Sequence, residues 1–222
     1  MNLKDLNLEE LSKSKQIKIG RILEAAKIEF DKNGIINSKI SNIAKRANVG
    51  EASIYRYFKE KLYLVRFVAF NYWKEQREVF NIYKKDNINH QSNGLDKVNS
   101  YLKMFIEMYY NHRGFLKFVE DLDSYLVPSK ETDKEYEFFE HIYYIKQTFI
   151  DVFEEGIKDG SIKPTLIADE SYNFVSQVMV STTQKIALRL GYNHIADDEY
   201  AINCLETTID MFIKYISNEK AK

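Results

Sequence analysis

One stretch of this chain carries side chains of mixed chemistry at helical spacing: Glu51-Ala52-Ser53-Ile54-Tyr55-Arg56-Tyr57. With Ile54 turned inward, the hydroxyls of Ser53, Tyr55 and Tyr57 and the guanidinium of Arg56 face outward. Hydroxyls and ammoniums near helix N-termini hold phosphate oxygens and fix register without reading bases, and Lys39 and Lys61 on either side extend that set. Arg56 and Glu51 are the candidates for base edges; a carboxylate there repels phosphate and prefers a cytosine amino group. Tyr55 and Tyr57 are two residues apart, so they lie on different faces and one of them can instead pack inward. The four histidines, His90, His112, His141 and His194, are far apart and have no metal spacing, and neither a phosphate-cradling glycine loop nor a nucleophile elbow is present. No catalytic, metal or cofactor site is expected, and the protein is not expected to be an enzyme.

The recognition stretch needs a support, and Ser38 to Phe58 supplies one: two short helices joined by Ala47-Asn48-Val49-Gly50, the layout of a helix-turn-helix. Ala44 and Ala47 are small where the helices cross. Asn48 tolerates a left-handed exit, Val49 and Ile54 fill the angle, Gly50 can cap the second helix, and Ser38 is a plausible cap for the first. A preceding helix is predicted over about 15–32, with Ile22, Leu23, Ala26 and Phe30 on one face and Asn33-Gly34 as its stop. Lys13, Lys15 and Lys18 precede it, and either touch a neighbouring phosphate or minor groove or form a solvated arm. A fourth helix is predicted over 61–84. Beyond the polar break at 90–94, further helices are predicted at about 95–111, 115–126, 131–158, 168–190 and 197–217. The fold expected is all-α with about nine helices, a head at 1–60 and a body at 61–222.

Composition agrees with that division. Of 222 residues only 2 are Pro and 8 Gly, which suits long uninterrupted helices. Residues 1–66 hold 14 Lys/Arg against 8 Asp/Glu, a net of +6 that leaves −7 for the remainder. A basic head on an acidic body suggests a polyanion for the head. The beginning of the chain lacks an apolar leader, and the uncharged run 171–184 is too short and polar for a bilayer, so a cytoplasmic protein with no membrane partner is expected. Cys204 reads as a buried inert thiol.

The order Ile22-Leu23-x-Ala25-Ala26-x-x-x-Phe30-x-x-x-Gly34, then Ile40-x-x-Ile43-Ala44-x-x-Ala47-x-Val49, then Ser53-Ile54-Tyr55-x-Tyr57-Phe58-x-x-Lys61-x-x-Leu64 resembles the TetR (tetracycline-repressor-like) family. The stretch 156–164 is similar to that family's connector after its seventh helix. Lys39, Asn48, Gly50, Glu51 and Glu60 depart from the family's usual residues, which leaves the fold unaffected but hides the operator sequence.

The resemblance implies a transcriptional regulator that binds a palindromic double-stranded DNA operator as a homodimer, usually a repressor released by a small molecule. It also implies a ligand site in the body, for which the candidates are Trp73, Phe105, Tyr109, Phe118, Asp121, Tyr125, His141, Tyr144, Gln147 and Phe174; rings and a few polar groups there suit an apolar or aromatic effector. For the implied dimer bundle the candidates are Val178, Thr182, Ile186, Leu205, Ile209 and Phe212, although an intramolecular core would show the same stripe. Another possibility, favoured by Glu51 and Glu60, is a ligand-binding or protein-interaction module that has lost specific DNA binding.

Overall fold

The computed structural model describes residues 11–126, 139–189 and 197–218. The expected breaks at 127–129 and 191–193, the start of the helix predicted from 131, and His194 lie outside the described residues. Among those residues the helices are α1 (Lys13–Asn37), α2 (Ile40–Ala47), α3 (Glu51–Phe58), α4 (Lys61–Tyr83), α5 (Gly94–Asn111), α6 (Arg113–Leu126), α7 (Phe139–Asp159), α8 (Ala168–Arg189) and α9 (Asp198–Ile216). A wide π-helical turn, Lys84–Ile88, continues α4. Lys13, Lys15 and Lys18 fall inside α1, whose first turn has no acidic residue to balance the helix dipole.

The chain forms two compact units. One comprises Met1–Glu75 with Lys117–Glu140, the other Gln76–Leu116 with His141–Lys222. The first is thus larger than the 1–60 head, because the start of α4 and most of α6 pack with it.

In the first unit Ile22, Ala26, Phe30, Ile43, Ala44, Ala47, Ile54, Phe58, Leu64 and Val65 are buried, so the apolar positions read from the sequence form a single head core. The α1 backbone breaks at Gly34 (φ 72°, ψ 158°), a conformation that glycine alone adopts cheaply, then turns helical again to Asn37. Ser38 does not cap α2. Its hydroxyl points back, donating to the carbonyls of Gly34 (2.6 Å) and Glu29 (3.1 Å), and Lys39 occupies the cap position. An N-cap needs a free side-chain oxygen facing forward, and α1's last carbonyls take this one first.

Glu29 is a buried carboxylate that accepts from Asn33 Nδ2 (2.9 Å) and Asn42 Nδ2 (2.8 Å), tying α1 to α2. Hydrogen bonds to a charged group in such a place are stronger than neutral ones, so Glu29→Ala is expected to destabilise the head by about 2 kcal/mol. A shift of the urea midpoint at unchanged m-value would register it; no shift would show the node to be idle.

In the second unit Tyr101, Leu102, Phe105, Phe149, Phe153, Val175, Met179, Leu205 and Ile209 form the core. The 156–164 connector is fastened from two sides. The α5 N-terminus gives Gly94 N–H to Asp159 (2.7 Å) and Leu95 N–H to the Ser161 hydroxyl (3.1 Å). The C-terminal segment pairs with it through Lys163 N–H to Ile216 carbonyl and Asn218 N–H to Ser161 carbonyl, both 2.9 Å. Asp198 at the start of α9 accepts from Tyr109 Oη (2.8 Å) and Arg113 (2.7 Å). The Tyr109 hydroxyl, then Arg113, hold that carboxyl below its usual range.

Candidate nucleic-acid interface

Helices α2 and α3 are joined by a turn built as the sequence demands. Asn48 takes the left-handed conformation (φ 51°, ψ 54°), Val49 N–H bonds the Ala44 carbonyl (3.0 Å), and Gly50 sits at the N-cap of α3. The Arg21 guanidinium of α1 donates to the Ala47 carbonyl and to that of Asn48 (3.4 Å), so a charged donor closes the carbonyl end of α2. Sequence reading missed Arg21, because nothing in a lone surface arginine marks it as a cap 26 residues away.

With Ile54 and Phe58 buried, α3 shows the solvent Glu51, Ala52, Tyr55 and Arg56, while Ser53 and Tyr57 are half-buried. Tyr55 is 47% exposed. The Arg56 guanidinium lies 5.2 Å from the centroid of the Tyr57 ring, so Tyr57 serves as a partial platform for it. Lys39, Lys45, Arg46 and Lys59 are exposed too, and the last three are basic groups that the motif-based reading passed over. Lys59 has φ 57°, an uncommon conformation for a side chain, at the turn from α3 into α4.

Lys61 departs from its expected role at a phosphate. Its Nζ donates to the carbonyls of Ser38 (2.7 Å) and Ile36 (3.1 Å), and desolvation holds its pKa below the ordinary lysine value. The ammonium is thereby committed to the loop between α1 and α2. Lys61→Met is expected to cost about 1–3 kcal/mol of head stability by leaving two carbonyls without their charged donor. The salt dependence of DNA binding should stay as in the parent, since a true phosphate contact would lower that slope by about one per head. A shallower slope would return Lys61 to the phosphates.

Comparison with known proteins decides what this motif belongs to. Residues 22–66 match the family described as bacterial regulatory proteins, tetR family. The head of this chain is therefore that of a tetR-family regulator. No curated protein matches the sequence. Among solved structures, the ketosteroid transcriptional regulator KstR2 of Mycobacterium tuberculosis is 17% identical over 94% of this chain and 98% of its own, with a TM-score of 0.61. A TetR transcription regulator from Haloarcula marismortui is 16% identical over 90% and 98%, with a TM-score of 0.66. FadR from Bacillus subtilis, solved with stearoyl-CoA, is 20% identical over 89% and 98%, with a TM-score of 0.56. At these identities the likeness is one of fold. The match to regulatory proteins thus covers the helix-turn-helix head, and the likeness of fold extends over the helical body.

The body candidates separate. Trp73, Phe118, Asp121 and Tyr125 belong to the first unit; Phe105, Tyr109, His141, Tyr144, Gln147 and Phe174 belong to the second. Asp121 approaches Gly34, where an added Cβ would lie 3.1 Å from its Oδ2, and the Ile35 N–H donates to it. Burial, the larger influence, raises its pKa. In this regulator Asp121 is therefore a tie from α6 to the head. Tyr125 stands 5.7 Å from the Lys61 ammonium, and Phe118 packs on Tyr72 with ring centroids 5.0 Å apart. Tyr109 is committed to Asp198, and Gln147 to Asp151 at 2.9 Å. Phe174 is 66% exposed and walls nothing within the second unit. Phe105, His141 and Tyr144 remain as inward-facing candidates.

The dimer candidates need correction as well. Leu205, Ile209, Ile186 and Phe212 are buried in the protomer's own core, and only Val178 and Thr182 are half-exposed. The apolar side chains left outside on α8 and α9 are Phe174, Leu188, Tyr200, Met211 and Tyr215. The stripe had two sides, and periodicity alone named the inner one. Cys204 is half-buried, beside that outer row. No helix among the described residues is long and apolar enough to cross a membrane, and no group of three metal-ligating side chains occurs among them.

Proposed function

We propose that this regulator is a cytoplasmic, non-enzymatic repressor that binds a palindromic operator as a homodimer and is released by a small, largely apolar or aromatic effector. Residues 1–60 read the DNA, and 61–222 answer to effector and partner. The observation that carries the reading is α3: a well-seated helix that spends Ile54 and Phe58 on the core and leaves Tyr55 and Arg56 exposed outside. Arg56 and Glu51 meet base edges, and Ser53, Tyr55, Tyr57 and Lys39 hold phosphates, with Lys45 and Arg46 adding to the electrostatic footprint.

One head spans only a few base pairs, so specific binding calls for two heads about one DNA turn or more apart. The exposed row on α8 (Phe174 and Leu188, with half-exposed Val178) and α9 (Tyr200, Met211, Tyr215) supports helix-bundle pairing there. Effector binding favours a dimer geometry in which the heads no longer match the half-sites. Phe105, His141 and Tyr144 are the residues we place nearest the effector. That FadR was solved with stearoyl-CoA and that KstR2 is named a ketosteroid regulator support a mainly apolar ligand.

Fluorescence anisotropy with DNA from the protein's own upstream region, against scrambled DNA at two salt concentrations, tests the reading. Selective binding that weakens steeply with salt supports it. Equal and weak binding to both DNAs, and then to other genomic fragments, would leave a module without specific DNA recognition, the role that Glu51 at the α3 N-terminus would suit.

A further inference from the structure

Two cations of the second unit converge on one ring, and neither is in an ion pair found among the described residues. Arg77 of α4 places its guanidinium 4.3 Å from the Tyr144 centroid, and the Lys84 ammonium lies 5.7 Å from the same ring. Arg77 and Lys84 are seven residues apart, two helical turns, which sets them on one face of α4 and its π-helical continuation. Lys84 also donates to the Thr148 hydroxyl (3.2 Å), one turn beyond Tyr144 on α7. The ion pairs found among the described residues engage Lys27, Lys97, Arg113 and Lys146, and neither of these two. Arg77 Nε is buried and has no hydrogen-bond partner.

Such an arrangement is unfavourable as it stands. Like charges repel, a buried guanidinium N–H without an acceptor forfeits its hydration, and attraction to the ring quadrupole offsets only part of that. An oxyanion accepting from Arg77 and Lys84 would supply both the missing charge and the missing acceptor, and the guanidinium fork suits two oxygens of one group. From Tyr144 an aromatic row leads inward, through Phe80 (centroids 6.2 Å) to Tyr101 (5.9 Å from Phe80) and Phe149 (5.2 Å from Tyr101). The charged end therefore adjoins apolar surroundings.

We propose that Arg77 and Lys84, with Tyr144 and Thr148, bind the carboxylate or phosphate headgroup of an amphiphilic effector. The proposal rests on the effector-responsive reading above and adds the charge that reading lacks. Calorimetric titration of the full chain with dodecanoate, dodecyl phosphate, dodecanol and inorganic phosphate tests it. The anionic amphiphiles should bind at least about 10-fold tighter than dodecanol, and Arg77→Gln and Lys84→Gln should each remove about 10-fold of that while dodecanol binding stays unchanged. The tighter of the two anionic amphiphiles names the headgroup. Equal binding of dodecanol and dodecanoate, full anion binding by both variants, or inorganic phosphate matching dodecyl phosphate would overturn it. If one variant does not fold, the other carries the test. Operator binding measured without any probe separates the two levels: intact DNA binding with no anion preference sinks this proposal alone, whereas absent DNA binding sinks the regulator reading.

Discussion

If two heads grip the operator as proposed, Arg56→Ala should weaken binding by about 2–6 kcal/mol, roughly 30-fold to 10⁴-fold, and flatten the difference between operator and scrambled DNA. The estimate follows from about 1–3 kcal/mol for each well-made side-chain contact to a base edge, counted in both heads. Arg56 is exposed, is engaged by no ion pair found among the described residues, and lies over the Tyr57 ring, so its fork is available to DNA. The head's fold should not suffer, because Ile54 and Phe58 do the packing of α3. Arg56→Lys is the informative partner variant. It keeps the positive charge, and so nearly the parental salt dependence, but loses the planar fork and with it the sequence preference. Anisotropy with matched and scrambled DNA at two salt concentrations reads both quantities. Retained discrimination in Arg56→Ala would move base reading to another residue, Glu51 being the next candidate.

The head was legible because its signals are local and mutually consistent. Asn48 in the left-handed turn, Gly50 before α3, small Ala44 and Ala47 at the crossing and Gly34 at the break in α1 each answer a backbone requirement that a residue type announces. What stayed hidden depends on which long-range partner claims a versatile polar group. A lysine at the start of α4 can reach a phosphate or a loop carbonyl equally well, and only the fold brings the Ile36 and Ser38 carbonyls to Lys61. The Ser38 hydroxyl could accept from the α2 backbone as a cap or donate to the α1 carbonyls, and Glu29 gave no sign in sequence of its two asparagine donors. In the body, helical periodicity located apolar stripes but not their side of the molecule. That is why Leu205 and Ile209 were named although they are buried, while Met211 and Tyr215 are the exposed side chains.

Gly94→Ala should be the most damaging single methyl in the second unit. A Cβ at Gly94 would lie 2.1 Å from the Gly156 nitrogen, 2.3 Å from its Cα and 2.7 Å from the Val152 carbonyl oxygen, all backbone atoms that no rotamer change can move. Either α5 or α7 must shift, and overpacking of this kind costs about 3 kcal/mol or somewhat more. For a chain of this length that is a fall in melting temperature of roughly 6–12 °C. Gly156→Ala should cost less, because its Cβ would meet the Ile162 side chain (2.5 Å) with the Gly94 backbone carbon farther off at 3.2 Å, and a side chain yields more readily than backbone. The displacement also pulls the Gly94 N–H away from Asp159. Burial opposes the charge on Asp159, yet hydrogen bonds from Ser161 and Gly94 hold its pKa below the ordinary value. A depressed folded pKa means that this carboxylate's stabilising contribution is present above about pH 4, the unfolded value, and is lost as pH falls through the folded one. Gly94→Ala should therefore raise the Asp159 pKa toward the ordinary carboxylate value and blunt the acid sensitivity of the connector. Thermal melts of both glycine variants, with an NMR titration of Asp159, test the argument at its joint: equal melting temperatures would show that α5 and α7 have room to part, and an unmoved Asp159 would show that Ser161 and Lys97 depress it without the Gly94 N–H.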